Sequence, residues 1–111
     1  MEKIKYEEVL ASQIRKILGL TEKEVVTEQY NCKPRKFRSD VTLPWCHVTI
    51  EINGGNWTAG RLTRPAQLLN EYEKMNILAE RGWFVFYFTP DQVLDYTACD
   101  RIIGYLKGGT K

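Results

Sequence analysis

FRSDVTLPWCHVTIEINGG, residues 37 to 55, decides how the chain folds and where its chemistry would sit. Phe37, Ser39, Val41 and Leu43 alternate with Arg38, Asp40 and Thr42, the period of a half-buried strand that stops at Pro44. A second run, WCHVTIEI (45 to 52), resumes at once and predicts a hairpin with Pro44 and Trp45 near its turn. Asn53, Gly54 and Gly55 terminate it. Each arm carries a carboxylate, Asp40 on the first and Glu51 on the second, and Glu51 interrupts an otherwise apolar strand end. Paired around the turn, the arms direct both side chains to one face, whereas a slip of one residue reverses one of them. Two carboxylates a few ångströms apart form a hard, oxygen-rich site of the kind that holds Mg2+. Without a cation their repulsion raises one pKa. The plainer alternative is two solvated charges, with Arg38 available to pair with Asp40.

On the N-terminal side, residues 5 to 18 place Tyr6, Val9, Leu10, Ile14, Ile17 and Leu18 on one stripe of a helix, and Gly19 stops it. Glu7 falls at the edge of that stripe, able to reach an interior cleft, while Glu8 faces water. Thr21 and Glu24 cap a short helical turn, and VVTEQYNC (25 to 32) has the composition of a strand. Lys33, Arg35, Lys36 and Arg38 fall within six positions, the first three in a basic loop, KPRK, before the hairpin. On the C-terminal side, NWTAGRLTR (56 to 64) reads as a polar loop. Pro65 opens the longest helix, whose stripe of Leu68, Leu69, Tyr72, Met75 and Ala79 runs to Gly82. WFVFYF (83 to 88) predicts a strand covered on both faces, and the segment from Pro90 predicts a final helix. The order is helix, three strands, helix, strand, helix: an α/β fold with a mixed central sheet, residues 1 to 111 forming one domain.

With 111 residues, 43% of them hydrophobic, the chain is long enough to bury its own core. Cys32, Cys46 and Cys99 are odd in number and lack C-x-x-C spacing, so neither a zinc site nor a disulfide framework is expected. The charged start, MEKIKYEEVL, has no signal-peptide character, and no apolar run approaches a membrane span. A cytoplasmic location is the expectation. A net charge of +2 is too small to diagnose a nucleic-acid partner. Its distribution says more, because Arg61 and Arg64 join the 33 to 38 cluster on the other flank of the hairpin.

RKFRSDVTLPWCHVTIEINGGNW, followed by GRLTR, EYEKMN and RGWFVFYFT, resembles the PD-(D/E)XK nuclease superfamily over residues 35 to 93. The likeness is to small phage-type endonucleases near the virus-type replication-repair (VRR-NUC) and very-short-patch-repair-like groups. Asp40 matches the motif Asp, Glu51 the motif Glu, and Gly54, Gly55 and Trp57 the turn after it. Glu71, Glu73, Lys74 and Asn76 match the following helix, and Gly82 with Trp83 opens the last strand. The resemblance implies a restriction-endonuclease-like core and a metal-dependent endodeoxyribonuclease acting on structured, branched or mismatched DNA. It implies Mg2+, replaceable by Mn2+, on Asp40 and Glu51, with the Asn53 side chain or the Ile52 carbonyl as a further contact and Glu7 as an additional acidic ligand. Lys36, Arg38, Arg61 and Arg64 would hold backbone phosphates, and a homodimer would suit a family whose junction resolvases make two cuts.

Three departures from the family pattern are visible. Asn53 stands where a lysine often follows the Glu, Leu62 replaces a histidine, and Tyr87 replaces an arginine. Some family members take the lysine from the following helix, where Lys74 lies three residues from Glu71. Lys74 would then stabilise charge developing on phosphorus. Elsewhere ordinary roles suffice: His47 as a hydrogen-bonded strand residue, Trp45 and Trp57 as lids or base-stacking groups, and Tyr96, Ile102, Ile103, Tyr105 and Leu106 as either a dimer face or the end of the core. A DNA-binding or regulatory protein with a decayed nuclease site, and a protein-interaction module, are the competing readings.

Overall fold

The computed structural model describes residues 3–53 and 65–108. Gly54, Gly55, Trp57, Arg61, Leu62 and Arg64 lie outside them. Eight elements follow in order: α1 (Tyr6–Leu18), β1 (Val26–Tyr30), β2 (Arg38–Leu43), β3 (Val48–Ile52), α2 (Pro65–Glu80), β4 (Phe84–Phe88), α3 (Pro90–Leu94) and α4 (Thr97–Leu106). A 3-10 turn over Pro44–Cys46 joins β2 to β3, where the sequence places the hairpin turn.

The strands form one mixed sheet in the order β1-β2-β3-β4. β1, β2 and β3 are antiparallel neighbours, and β4 returns parallel to β3 through α2, a connection that needs a helical crossover. Val41 pairs with Ile50, Thr42 with Thr49 and Leu43 with Val48. Alternation then sorts the side chains. Val41, Leu43, Val48 and Ile50 face α1, α3 and α4 and share a core with Leu10, Ala11, Ile14, Val93, Ala98, Cys99 and Ile102. Thr42 and Thr49 face the other way, towards α2. That side is polar, and it carries the candidate site.

Four details differ from the sequence reading, each for a packing reason. β2 is not half-buried: Thr42 is as fully enclosed as Val41 because α2 covers the second face. β4 is an edge strand, with Phe84 and Tyr87 exposed, so its unbroken apolar run reflects the stacking of Phe84 and the edge-to-face contact of Phe86 on Tyr105 rather than two-sided burial. α2 turns its apolar stripe outward, leaving Leu69 64% and Tyr72 53% exposed, and buries Lys74 and Leu78 instead. The last helix is two, broken at Tyr96, whose φ is 70°. Thr89 and Gln92 cap α3 reciprocally, the Thr89 side chain accepting from the Gln92 N–H and the Gln92 side chain from the Thr89 N–H. Ile102 is buried and Ile103, Tyr105 and Leu106 pack against the core, so α4 finishes the core while Tyr96 stays outside.

Candidate active site

Continuing the β2–β3 register by one step faces Asp40 with Glu51 on the α2 side of the sheet. Asp40 is half-buried, and its Oδ2 accepts the Ile52 N–H at 2.7 Å where the ladder ends. The carboxylate thus supplies a hydrogen bond that the departing strand no longer makes. Glu51 is deeper, with its side chain 10% exposed. Its Oε1 accepts from Lys74 Nζ at 2.8 Å, and its Oε2 is buried with no hydrogen-bond partner among the described residues. Lys74 Nζ also donates to the Arg38 carbonyl at 2.6 Å, which ties α2 to β2 and β3 at once.

The electrostatics follow from burial. Desolvation pushes the Glu51 carboxyl up from 4.5 to about 7, with Asp40 and Glu71 adding repulsion and Lys74 opposing both. An ion pair at 2.8 Å would by itself lower that value, so desolvation is the stronger effect here. Burial also raises Asp40, against the Ile52 N–H and the Lys74 charge that pull it down. Deeper in the polar layer, Asn31 donates to Thr42 Oγ1 at 2.9 Å, and Thr49 Oγ1 donates to the Val41 carbonyl at 3.2 Å. The two threonines give the carboxylate pair a rigid floor.

Glu7, on the first turn of α1, lies against the Glu28 side chain and within Coulombic reach of Asp40. Burial first, and those two carboxylates after it, raise its pKa. Glu28 occupies the β1 position opposite Asp40 and has a left-handed backbone, φ 55°, within a strand. Its carboxylate accepts from Arg38 at 3.2 Å. Arg38 therefore pairs with Glu28, where the sequence offered it to Asp40. Tyr87 sits beside Glu51 in the β3–β4 pairing, and its phenol is raised by burial and by the charges of Glu51 and Glu71. Glu28 is a site neighbour that sequence reasoning did not assign, and Tyr87, noted only as replacing an arginine, is set against Glu51 by the parallel register.

The remaining expected residues are more dispersed. Asn53 continues the parallel ladder, donating its backbone N–H to the Phe88 carbonyl at 2.9 Å. Lys36 is exposed in the 33 to 36 loop. Arg61 and Arg64 fall outside the described residues. Cys32 and Cys99 are buried and Cys46 partly so, and burial raises all three thiols, as packing residues should show. Among the described residues, no three His, Cys, Asp or Glu side chains converge tightly enough to hold a metal ion alone. Mg2+ commonly takes only one or two carboxylates and completes its shell with water and phosphate. The unpartnered Glu51 Oε2 beside Asp40 is the kind of donor set it accepts. No helix among the described residues is long and apolar enough to cross a membrane. Comparisons with protein-family models, curated protein sequences and solved structures returned no match.

Proposed function

We propose that the chain is a Mg2+-dependent endodeoxyribonuclease of the PD-(D/E)XK type, acting on structured, branched or mismatched DNA. The observation that carries the proposal is the reach of Lys74 from α2 to Glu51, 2.8 Å away, beside Asp40. The strand position two residues after Glu51, where a lysine would ordinarily supply that charge, holds Asn53. An aspartate, a glutamate and a lysine thus meet on one sheet face although the sequence separates them by 34 positions.

Asp40 and Glu51 would hold the cation, which when bound supplies a polarised phosphate and a more acidic water. Lys74 would hold the Glu51 carboxylate in its charged form and present an ammonium to the charge that develops on phosphorus. Enclosure of Glu51 and Lys74 beneath α2 limits their contact with bulk water, so their charges act more strongly than they would at the surface. Tyr87, 42% exposed beside Glu51, is placed to donate a hydrogen bond to a phosphate oxygen where an arginine is absent. Lys36 and Arg38 would contact backbone phosphates without reading sequence.

The test is cleavage of linear, mismatched, flapped and four-way DNA by the purified protein with Mg2+ or Mn2+. Asp40→Ala and Glu51→Ala should abolish cleavage and leave folding and much of the DNA binding intact. A double variant that still cuts removes the assignment. The same ion pair favours a second reading, a nuclease-fold DNA-binding or regulatory protein without catalysis, because Lys74 already occupies Glu51 Oε1. Calorimetry that detects DNA binding but no divalent cation at Asp40 and Glu51 would select it.

A further inference from the structure

An open groove of about 640 Å³ runs along β1 on the side of the C-terminal end of α2, away from the carboxylates. Tyr30, Lys33, His47, Arg81 and Trp83 line it, with Glu28 at the border it shares with the candidate active site. At its inner end His47 and Trp83 stack face to face, ring centroids 4.2 Å apart and planes 6° from parallel. His47 is exposed and Trp83 half-buried, so the pair is not part of the core.

Two backbone devices build that platform. α2 ends in a Schellman motif: Trp83 N–H donates to the Leu78 carbonyl at 2.9 Å and Gly82 N–H to the Ala79 carbonyl at 3.0 Å, with Gly82 at φ 80°. His47 closes the 3-10 turn at φ 59°, its carbonyl accepts the Phe84 N–H at 2.9 Å, and its Nδ1 lies 3.2 Å from the Gly82 carbonyl. Both rings are therefore fixed before any ligand arrives, which removes much of the ordering cost of binding.

The charges around the platform are unequal. Arg81 is committed to the Asn31 and Lys33 carbonyls, and Glu28 is paired with Arg38. Lys33 makes no ion pair among the described residues. Past Tyr30 and Lys33 the concave surface continues into a second hollow lined by Pro34, Arg35 and Lys36, where Arg35 is paired with Glu73 at 2.9 Å and Lys36, like Lys33, makes no ion pair among the described residues. A flat aromatic platform at one end and a basic track leading away from it match one ligand chemistry, a nucleobase with its phosphodiester chain. An acidic peptide would satisfy the cations but has no use for the ring face. Bases inside a duplex are stacked on one another, so the base that reaches the platform is unpaired.

We infer that the His47–Trp83 pair and Lys33 form a docking site for an unpaired nucleotide of a single-stranded segment. The inference rests on the nucleic-acid reading of the carboxylate site and deepens it. His47 precedes Glu51 by four residues of β3, about 13 Å of extended chain. The site thus holds a single-stranded segment within a few nucleotides of Asp40 and Glu51, which selects flapped, gapped or branched substrates over continuous duplex.

The test measures binding of fluorescein-labelled dT12 to the full chain by anisotropy in EDTA, where no cleavage intervenes. Trp83→Leu should weaken binding about 5- to 150-fold, the loss of one stacked base. Trp45→Leu, at the exposed indole bonded to the Glu24 carbonyl, should not. Lys33→Ala should lower the slope of log K against log salt by about 0.7. In a chain carrying Trp45→Phe and Trp57→Phe, dT12 should quench the fluorescence of Trp83, and polyglutamate of equal charge should not. This measurement decides the matter if Trp83→Leu does not fold. Absent quenching, equal quenching by polyglutamate, or a folded Trp83→Leu protein that binds dT12 normally would overturn the inference. Binding through Trp83 by a protein that never cuts DNA discards the nuclease proposal alone, and cleavage with a silent Trp83 discards this inference alone.

Discussion

Acidification in the absence of divalent cations should stabilise this protein. The perturbation is a change from pH 8 to pH 5 in EDTA, and the responsible group is Glu51. Its folded-state value of about 7 lies above the ordinary 4.5 because burial outweighs its ion pair with Lys74. A group whose pKa is raised on folding contributes stability that is fully present below its unfolded value and is lost as pH rises through the folded value. At about 1.4 kcal/mol for each pH unit, the Glu51 displacement corresponds to about 3 kcal/mol between pH 4.5 and 7. Asp40 and Glu7 are displaced in the same direction, which leaves the sign unchanged. Asp95, lowered by its bonds to Thr97, titrates below this window.

Urea unfolding at the two pH values, followed by circular dichroism, measures the difference directly. At pH 5 about 2.5 kcal/mol of this is realised, so a thermal scan should show a Tm higher than at pH 8 by about 10 °C, taking about 4 °C for each kcal/mol in a chain of this size. Glu51→Gln removes the titrating proton and should flatten most of the dependence. Under the nuclease proposal, added Mg2+ should raise Tm more at pH 8 than at pH 5, since a cation would bind the ionised pair and stabilise by mass action. A wild-type stability that is level or rises from pH 5 to 8, matched by Glu51→Gln, would refute the claim that Glu51 is desolvated. With it would go the electrostatic case for a cation there.

Other outcomes follow from the same contacts. Lys74→Met leaves Glu51 buried without its partner and should cost about 3–5 kcal/mol at pH 8, less at pH 5 where Glu51 takes a proton, as read by urea unfolding. Under the nuclease proposal it should also lower the cleavage rate by orders of magnitude. Gly82→Ala should cost about 1–2 kcal/mol through the positive φ alone, because the added Cβ meets nothing closer than His47 Nδ1 at 3.7 Å. Ile14→Ala should cost about 2–5 kcal/mol and Ile17→Ala no more than about 0.5, because Ile14 is enclosed and Ile17 is 51% exposed.

The strand and helix order was legible because strong local signals mark it: Pro44 between two alternating runs, Pro65 before a long helix, Gly19 and Gly82 after helices. What failed was the direction of burial. Leu69, Tyr72 and Met75 have helical spacing, yet α2 buries Lys74 and Leu78, since the sheet face beneath it already holds Asp40, Thr42, Thr49 and Glu51. A polar sheet face calls for a polar helix face, and hydrophobic periodicity in one segment carries no information about the polarity of another. The same blindness misassigned β4, whose aromatic residues pack on α4 from an edge position.

The candidate site shows the complementary case. Asp40 and Glu51 were legible because a two-strand register depends only on the turn between them, and that turn is short. Lys74 reaches them only through the crossover from β3 to β4, so its position depends on packing rather than on spacing. The consequence is physical as well as topographic. A lysine two residues beyond Glu51 would move with the strand that carries both, whereas Lys74 couples Glu51 to the docking of α2, through the Arg38 carbonyl on one side and the carboxylate on the other. Any change that loosens α2 therefore alters the charge on Glu51 before it unfolds the sheet. Leu78→Ala is such a change: it removes an enclosed side chain one turn from Lys74. If docking governs the site, that variant should reduce Mg2+ affinity at pH 8 in isothermal titration while the urea-measured loss stays within the 2–5 kcal/mol of an ordinary cavity. Unchanged Mg2+ affinity in a folded Leu78→Ala protein would mean that Lys74 and Glu51 hold their geometry without the helix.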